Sequence, residues 1–297
     1  MNGSLINGNV FSDYRENILI DCNNPILAFK ANRDRYTGAA NQKAYAGHPH
    51  IASINSEDAL TWNVFRTLQV KAKLDTLSSL LGEELIKPKI LIWTLAFDDG
   101  SSSLQYDVGS LIRSIDGKHK GQITEPDLII CTENKIYVGE CKLGTYNQYP
   151  AHLWDNKSSG SKTRYKDYFT DNDNPFIKPI SNTDPFYHKV AYQLFRMAFY
   201  AHLLGKRLEK NPVLLSITNE SWWNLETGRP SPSNIWDRFC LKYIDPCKLE
   251  SRNIFWQDIH GCVQKESSLQ NLSDYLGKHR CLYKSSGVMS SENWKIF

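Results

Sequence analysis

The sequence predicts an α/β protein in which helices flank a mixed central β-sheet. Two observations support this: short apolar runs typical of buried strands recur along the chain, and two longer segments carry apolar residues at helical spacing. The chain has 297 residues and is 41% hydrophobic, so it can bury a complete core. We expect a single domain with its core at about 53–220, an N-terminal arm over 1–52 and a C-terminal addition over 221–297.

These patterns also predict the order of the elements. The apolar residues within 57–81 have helical spacing, which predicts a helix. Asn55 or Ser56 can cap this helix, and Gly82 can end it. The segment at 187–204 is apolar nearly all round, as a buried helix is. The full order is a helix at 57–81, strands at 90–97, 127–131 and 136–142, a helix at 187–204 and a strand at 213–218.

The overall composition argues against a strongly charged protein and against a membrane protein. The chain has 35 basic and 32 acidic residues, so any contact with nucleic acid must be local. Its N-terminus lacks the basic and apolar regions of a signal peptide, and the longest apolar run, 90–97, is too short to span a bilayer. We therefore expect a soluble, cytoplasmic protein without a membrane partner.

The cysteines and the missing motifs narrow the class further. Seven scattered cysteines without a C-x-x-C favour neither a disulfide framework nor a structural zinc site. The chain contains no G-x-x-x-x-G-K-[ST], no G-x-G-x-x-G and no G-x-S-x-G. Nothing local therefore indicates a nucleotide-dependent enzyme, a dinucleotide-dependent enzyme or a hydrolase with a nucleophile elbow.

Three charged residues interrupt the apolar strands at 127–131 and 136–142. If Thr132 to Lys135 form the turn, Cys131 faces Ile136, and counting outward places Asp127 opposite Glu140. Opposed residues on antiparallel strands have Cβ atoms about 4.5 to 5.5 Å apart and point to the same face. Lys142 follows Glu140 by two residues, so alternation along the strand places it on that face too. The register predicts two adjacent carboxylates with an ammonium group beside them.

Adjacent carboxylates among apolar residues require a compensating cation. Lys142 can neutralise only one of the two acids, Asp127 and Glu140. A hard divalent ion such as Mg²⁺ accepts oxygen ligands and keeps positions open for water and phosphate oxygens. The alternative is an edge hairpin whose charged face is merely solvated. We favour the metal site because of the lysine and the apolar flanks.

The same residues carry a resemblance to a known family. Pro126-Asp127, followed after a short hairpin by Glu140-Cys141-Lys142, resembles the motif of the PD-(D/E)XK nuclease superfamily, which includes many restriction endonucleases. The predicted element order is similar to the αβββαβ core of that superfamily. The resemblance covers about half of the chain. It implies a restriction-endonuclease-like core with N- and C-terminal additions.

The resemblance implies a Mg²⁺-dependent site, in which Mn²⁺ can substitute. Its metal ligands would be Glu57, Asp127, Glu140 and the main-chain carbonyl of Cys141, while its catalytic residues would be Asp127, Glu140, Lys142 and Gln193. Two of these assignments keep an ordinary alternative. Acids are favoured in the first turn of any helix, which accounts equally for Glu57. A hydrogen bond elsewhere in the core would satisfy Gln193 equally well.

The activity implied by the resemblance is hydrolysis of phosphodiester bonds in DNA, in a restriction or genome-defence setting. The segment 144–186 is longer than an ordinary loop and contains a basic window. We expect nucleic-acid contacts from Lys157, Lys162, Arg164 and Lys166. The alternative for these residues is a solvated surface loop. Homodimerisation and accessory subunits are both compatible with this family.

Two other classes of function remain open. One is a catalytically silent nucleic-acid-binding or assembly module that retains the nuclease fold. The other is an unrelated α/β protein in which Asp127 and Glu140 diverge. The three hypotheses differ in whether the protein needs Mg²⁺.

Overall fold

The chain divides into two compact units. The computed structural model describes residues 5–6, 8–36, 45–97, 101–116, 125–143, 173–180, 191–220, 232–279 and 282. The first unit comprises Met1–Leu77, Asn219–Trp222 and Trp256–Phe297, and the second comprises Ser78–Thr218 and Trp223–Phe255. The Asp-Glu-Lys hairpin belongs to the second unit.

Helices and strands alternate along the described residues. The strands are β1 (Leu5–Ile6), β2 (Val10–Phe11), β3 (Lys89–Ile92), β4 (Leu128–Cys131), β5 (Lys135–Cys141), β6 (Asn211–Thr218) and β7 (Glu250–Phe255). The helices are α1 (Pro25–Arg33), α2 (Glu57–Val70), α3 (Ser78–Leu81), α4 (Ser102–Asp116), α5 (Tyr192–Leu208), α6 (Pro232–Tyr243), α7 (Trp256–Val263) and α8 (Gln270–Gly277). None of these helices combines the length and hydropathy that a membrane crossing requires.

The second unit contains a mixed five-stranded sheet in the order β3-β4-β5-β6-β7. The pairs β3–β4 and β4–β5 are antiparallel, whereas β5–β6 and β6–β7 are parallel. Because β5 and β6 are parallel, the chain must cross back between them, and α5 is part of this crossover. The predicted α/β class with a mixed sheet is confirmed. The sheet also includes β7, which lies beyond the core predicted to end near residue 220.

One face of this sheet packs against the helices of the second unit. Ile129 and Val138 belong to the same buried apolar cluster as Leu214 of β6. By alternation these residues share one face, and α5 packs on β5 and β6 there. Residues of three helices complete the cluster: Leu104, Val108, Ile112 and Ile115 of α4, Leu194, Phe195, Ala198 and Ala201 of α5, and Ile235, Phe239 and Tyr243 of α6.

The first unit ties its N-terminal segment to α2 through buried amides. Leu19 donates its backbone N–H to Asn63 Oδ1 at 2.8 Å, and Asn63 Nδ2 donates to the carbonyl of Asn17 at 2.9 Å. Asn17 Nδ2 in turn donates to the carbonyls of Ile51 and Ser53. These bonds satisfy backbone groups that would otherwise be buried without partners. They hold the predicted N-terminal arm in place.

Several predicted boundaries differ from the observed ones for identifiable reasons. The strand expected at 90–97 ends at Ile92, because Trp93 and Thr94 adopt positive φ angles of 52° and 63°. The helix expected at 57–81 is interrupted after Val70, because Ala72 has a φ of 53°. A second helix, α3, then ends where Gly82 takes a φ of 70°, so the predicted stop is correct.

Gly205 lies where the end of α5 meets the start of β6. An added Cβ would lie 2.8 Å from the backbone oxygen of Lys210 and 2.8 Å from Pro212 Cβ. We expect Gly205→Ala to lower the free energy of unfolding by about 1–3 kcal/mol, despite the better helix propensity of alanine, because the overlap involves backbone. Urea denaturation measures this change.

Gly261 in α7 is the matched control. A Cβ there would meet nothing within 4 Å, so Gly261→Ala should raise the free energy of unfolding by about 0.5–1 kcal/mol. Equal effects of the two substitutions would contradict the packing assigned to Gly205.

His279, after α8, should make the stability pH-dependent. Burial lowers the pKa of its imidazole to about 4 from the ordinary 6.5, and neither ring nitrogen has a hydrogen-bond partner in the described part of the chain. Between these pH values the unfolded chain binds the proton and the folded chain does not. Stability is therefore present above pH 6.5 and falls as the pH drops towards 4, by about 3 kcal/mol at most.

Urea denaturation at pH 7 and pH 5 tests this expectation for His279→Leu. The variant should lose much of the fall in stability seen in the wild type, while the exposed His50→Leu should retain it. Some pH dependence should persist, because burial also lowers the pKa of His260. An unchanged fall in His279→Leu would contradict the assignment.

Candidate active site

The β4–β5 hairpin places Asp127 and Glu140 side by side. The turn closes through a bond from Thr132 N to Lys135 O at 2.9 Å, as expected. The ladder runs from Cys131–Ile136 to Leu128–Gly139, which confirms the predicted pairing. The next positions outward are Asp127 and Glu140. Asp127 also continues the pairing with the neighbouring strand, since Trp93 N donates to its carbonyl at 3.0 Å.

The Asp127 carboxylate binds the backbone of the opposite strand. Its Oδ2 accepts the N–H of Cys141 at 2.8 Å. The following amide, of Lys142, donates to Ile217 O on the other side at 2.8 Å, so the amides of β5 alternate between its two neighbours. The N–H of Cys141 consequently faces Asp127. Its carbonyl points to the same side, because both groups of one residue in a strand face one neighbour.

Glu140 and Lys142 form a buried ion pair. Lys142 Nζ lies 2.7 Å from Glu140 Oε1, and the two side chains are only 9% and 4% exposed. Asp127 is half-buried. These three groups comprise two carboxylates and one ammonium, and Glu140 and Lys142 have little access to solvent. This imbalance favours a further cation.

Strand alternation assigns Glu140 and Lys142 to the face of the sheet that α5 covers. Both are an even number of residues from Val138, which belongs to the cluster under α5. Asp127 directly precedes β4, and its carboxylate binds the backbone N–H of Cys141. The apolar face therefore becomes charged where β4 begins and β5 ends. Alternation points the side chain of Cys141 to the opposite face, where it is buried.

Gln193 lies in the first turn of α5. The start of β6 lies at the opposite end of the sheet from Glu140, where Asn211 N donates to Asn134 O at 2.9 Å. Since α5 leads into β6, the helix runs from the Glu140 end of the sheet to this opposite end. The first turn of α5, which contains Gln193, therefore lies at the Glu140 end of the sheet. Gln193 Oε1 is buried and has no hydrogen-bond partner among the described residues. Such an acceptor requires a donor, which a bound water molecule or substrate can supply.

The oxygen donors at this site suit a hard divalent ion. Asp127, Glu140 and the carbonyl of Cys141 offer the ligand type that Mg²⁺ prefers. Within the described ranges, no group of three or more His, Cys, Asp or Glu side chains is arranged to hold a metal ion. A magnesium ion here would therefore complete its coordination with water and substrate oxygens, which is its usual behaviour.

Glu57 and its neighbour belong to the first unit. Glu57 is the first residue of α2, whose cap is Ser56: its Oγ accepts the N–H of Ala59 at 3.2 Å. Asp58 lies 3.2 Å from Lys30 Nζ, and burial raises the pKa of its carboxyl. Asp58 is thus engaged in an ion pair within its own unit. The ligand role of Glu57 stays a prediction.

The expected nucleic-acid contacts cannot be placed. Lys157, Lys162, Arg164 and Lys166 lie outside the described residues. Their role stays a prediction from the basic character of that segment.

No protein-family model, curated protein or solved structure that was compared with this chain matches it. The resemblance to PD-(D/E)XK nucleases therefore stays a prediction from the sequence motif.

Ser216 lies beside Glu140 in the sheet, and the sequence patterns did not single it out. The parallel register pairs it with Glu140, and it is 1% exposed. The available signal was a serine within the apolar run PVLLSIT at 212–218.

Breaking the buried ion pair should be costly. Lys142→Met leaves the Glu140 carboxylate buried without its cation, and we expect a loss of about 3–5 kcal/mol in the free energy of unfolding. The double variant Glu140→Gln, Lys142→Met should recover part of this loss, because no charge is then buried. Urea denaturation measures both.

Lys135→Met is a matched control at the other end of β5. Lys135 pairs with Glu250, but this pair is 18% and 36% exposed, so its loss should cost about 1 kcal/mol or less. Similar losses in Lys135→Met and Lys142→Met would show that burial of Glu140 does not determine the cost.

Proposed function

We propose that this protein is a metal-dependent nuclease of the PD-(D/E)XK type that hydrolyses phosphodiester bonds in DNA. The observation that carries the proposal is the meeting of the three motif residues at one end of the hairpin: Lys142 lies 2.7 Å from Glu140, and the Asp127 carboxylate binds the N–H of Cys141 between them. A restriction or genome-defence setting follows from family analogy alone.

The order of elements supports the same proposal. Along the chain, α2, β3, β4, β5, α5 and β6 follow the order of the αβββαβ core that the family shares. The chain adds α4 between β3 and β4, and β7 beside β6. Asp127 directly precedes the third of these six elements, Glu140 lies on the fourth, and Lys142 directly follows it, which supports the resemblance.

Each residue of the site has a role that its geometry suits. Asp127, Glu140 and the carbonyl of Cys141 would hold the Mg²⁺ ion. When bound, this ion would polarise the phosphodiester and lower the pKa of a water molecule. Lys142 would offset the negative charge that develops on the phosphate, which is most effective from a site with little solvent.

The remaining two contacts would orient these groups. The N–H of Cys141 holds one oxygen of Asp127 at 2.8 Å, which fixes the carboxylate relative to β5. The buried Oε1 of Gln193 would accept a hydrogen bond from the attacking water and orient it. The bond from Cys141 N–H to the Asp127 carboxylate is charge-assisted, and such bonds fix geometry more strongly than neutral ones.

A second candidate is a catalytically silent nucleic-acid-binding or assembly module. It is favoured by the absence, within the described ranges, of a group of three side chains arranged for a metal. Under this hypothesis Lys142 would permanently neutralise Glu140, and DNA binding would not depend on Mg²⁺.

A cleavage assay on plasmid and linear DNA with Mg²⁺, Mn²⁺ or EDTA distinguishes the two. The wild type should cleave with either metal and not with EDTA. Asp127→Ala and Lys142→Ala should each lower the rate by about 10²–10³-fold, because each removes a group that binds or stabilises developing charge. Lys135→Ala, on the same strand but about 17 Å from Glu140, should leave the rate unchanged.

The outcomes separate the hypotheses. Equal residual activity in the wild type, Asp127→Ala and Lys142→Ala would overturn the proposed mechanism. Metal-independent DNA binding by a wild type that does not cleave would favour the silent module. Melting curves of each variant exclude loss of folding as the cause.

A further inference from the structure

A row of polar residues crosses the sheet at the level of Glu140. The parallel registers pair Glu140 of β5 with Ser216 of β6, and Ser216 with Asn253 of β7. Paired residues of neighbouring strands point to the same face, about 4.8 Å apart. Asp127, the residue before β4, is the next position outward from the Leu128–Gly139 pair. The row therefore runs from Asp127 at the edge of β4 through Glu140 and Ser216 to Asn253 of β7.

The row begins where the apolar face ends. One step earlier along the strands, on the same face, Val138 pairs with Leu214, and both belong to the core under α5. Ser216 replaces an apolar residue at the next position, where it is 1% exposed. Burying a hydroxyl costs free energy unless it is hydrogen-bonded. A serine here is therefore better explained by the charged neighbours than by packing.

Polar residues also lie next to Ser216 on β6 and β7. Thr218, two residues further on β6 and also buried, contacts Asn253 Oδ1 through its hydroxyl at 3.5 Å. The backbone bond from Lys142 N to Ile217 O fixes β5 against β6 at this level. The polar groups are thus held on a rigid part of the sheet.

We propose that Ser216 is a positioning residue that holds the Glu140–Lys142 pair in the orientation needed to bind a divalent cation, and that Asn253 supports it from β7. The inference rests on the proposed nuclease function and extends the site from the hairpin to β6 and β7. Groups that orient metal ligands commonly change metal affinity or activity by about 10–100-fold when they are removed.

The test measures Mn²⁺ binding by the DNA-free protein as well as cleavage. Ser216→Ala should weaken Mn²⁺ binding, followed by electron paramagnetic resonance, by about 10-fold, and should raise the Mn²⁺ concentration for half-maximal cleavage similarly. Ser216→Thr keeps a hydroxyl and should restore most of both. Ser251→Ala is the matched control: it lies on the same face of β7 but pairs with Leu214, so neither quantity should change.

The outcomes separate this inference from the function on which it rests. Unchanged Mn²⁺ binding in Ser216→Ala, with an active wild type, overturns the role of Ser216 and leaves the nuclease intact. A wild type that neither binds Mn²⁺ nor cleaves overturns the nuclease itself. If Ser216→Ala fails to fold, Ser216→Cys keeps the volume with a weaker donor and should show the same loss of affinity; normal affinity in that variant overturns the proposal.

Discussion

The pairing of β4 with β5 is the constraint on which the candidate site depends. The register carries Asp127 to a position beside Glu140, and alternation then brings Lys142 to the same face. A slip of one residue would place the acids on opposite faces. The turn from Thr132 to Lys135 prevents this, and the apolar residues that follow it hold the same register because they are buried.

The buried charges of the site lower the stability of the fold, which indicates that they are retained for a function. Glu140 and Lys142 are buried although apolar residues could fill their space without a desolvation penalty. The nearby backbone at Trp93 and Thr94 has positive φ angles, which cost free energy in residues other than glycine. The buried ion pair and the positive φ angles of Trp93 and Thr94 thus occur at the same end of the sheet. This combination is typical of functional sites.

Local sequence patterns were sufficient to predict those elements in which one side-chain periodicity dominates. The hairpin, α5 and β6 are apolar along most of their length, so burial and secondary structure could be predicted together. The same patterns were insufficient to predict α1, α4 and β7. The strand β7 is mostly half-buried and carries Glu250, Arg252 and Asn253, so its pattern resembles a surface segment. Its place in the sheet depends on hydrogen bonds to β6, which are not encoded in its own hydropathy.

The sequence by itself determined the α/β class, the hairpin register and the proximity of Asp127, Glu140 and Lys142, because turn length and strand alternation are local rules. Only the tertiary structure decided that Glu140 pairs with Lys142 in a buried environment and that Ser216 and Asn253 continue the polar row. These contacts join strands that are distant in sequence. Their geometry depends on the crossover through α5 and on the packing of the sheet as a whole.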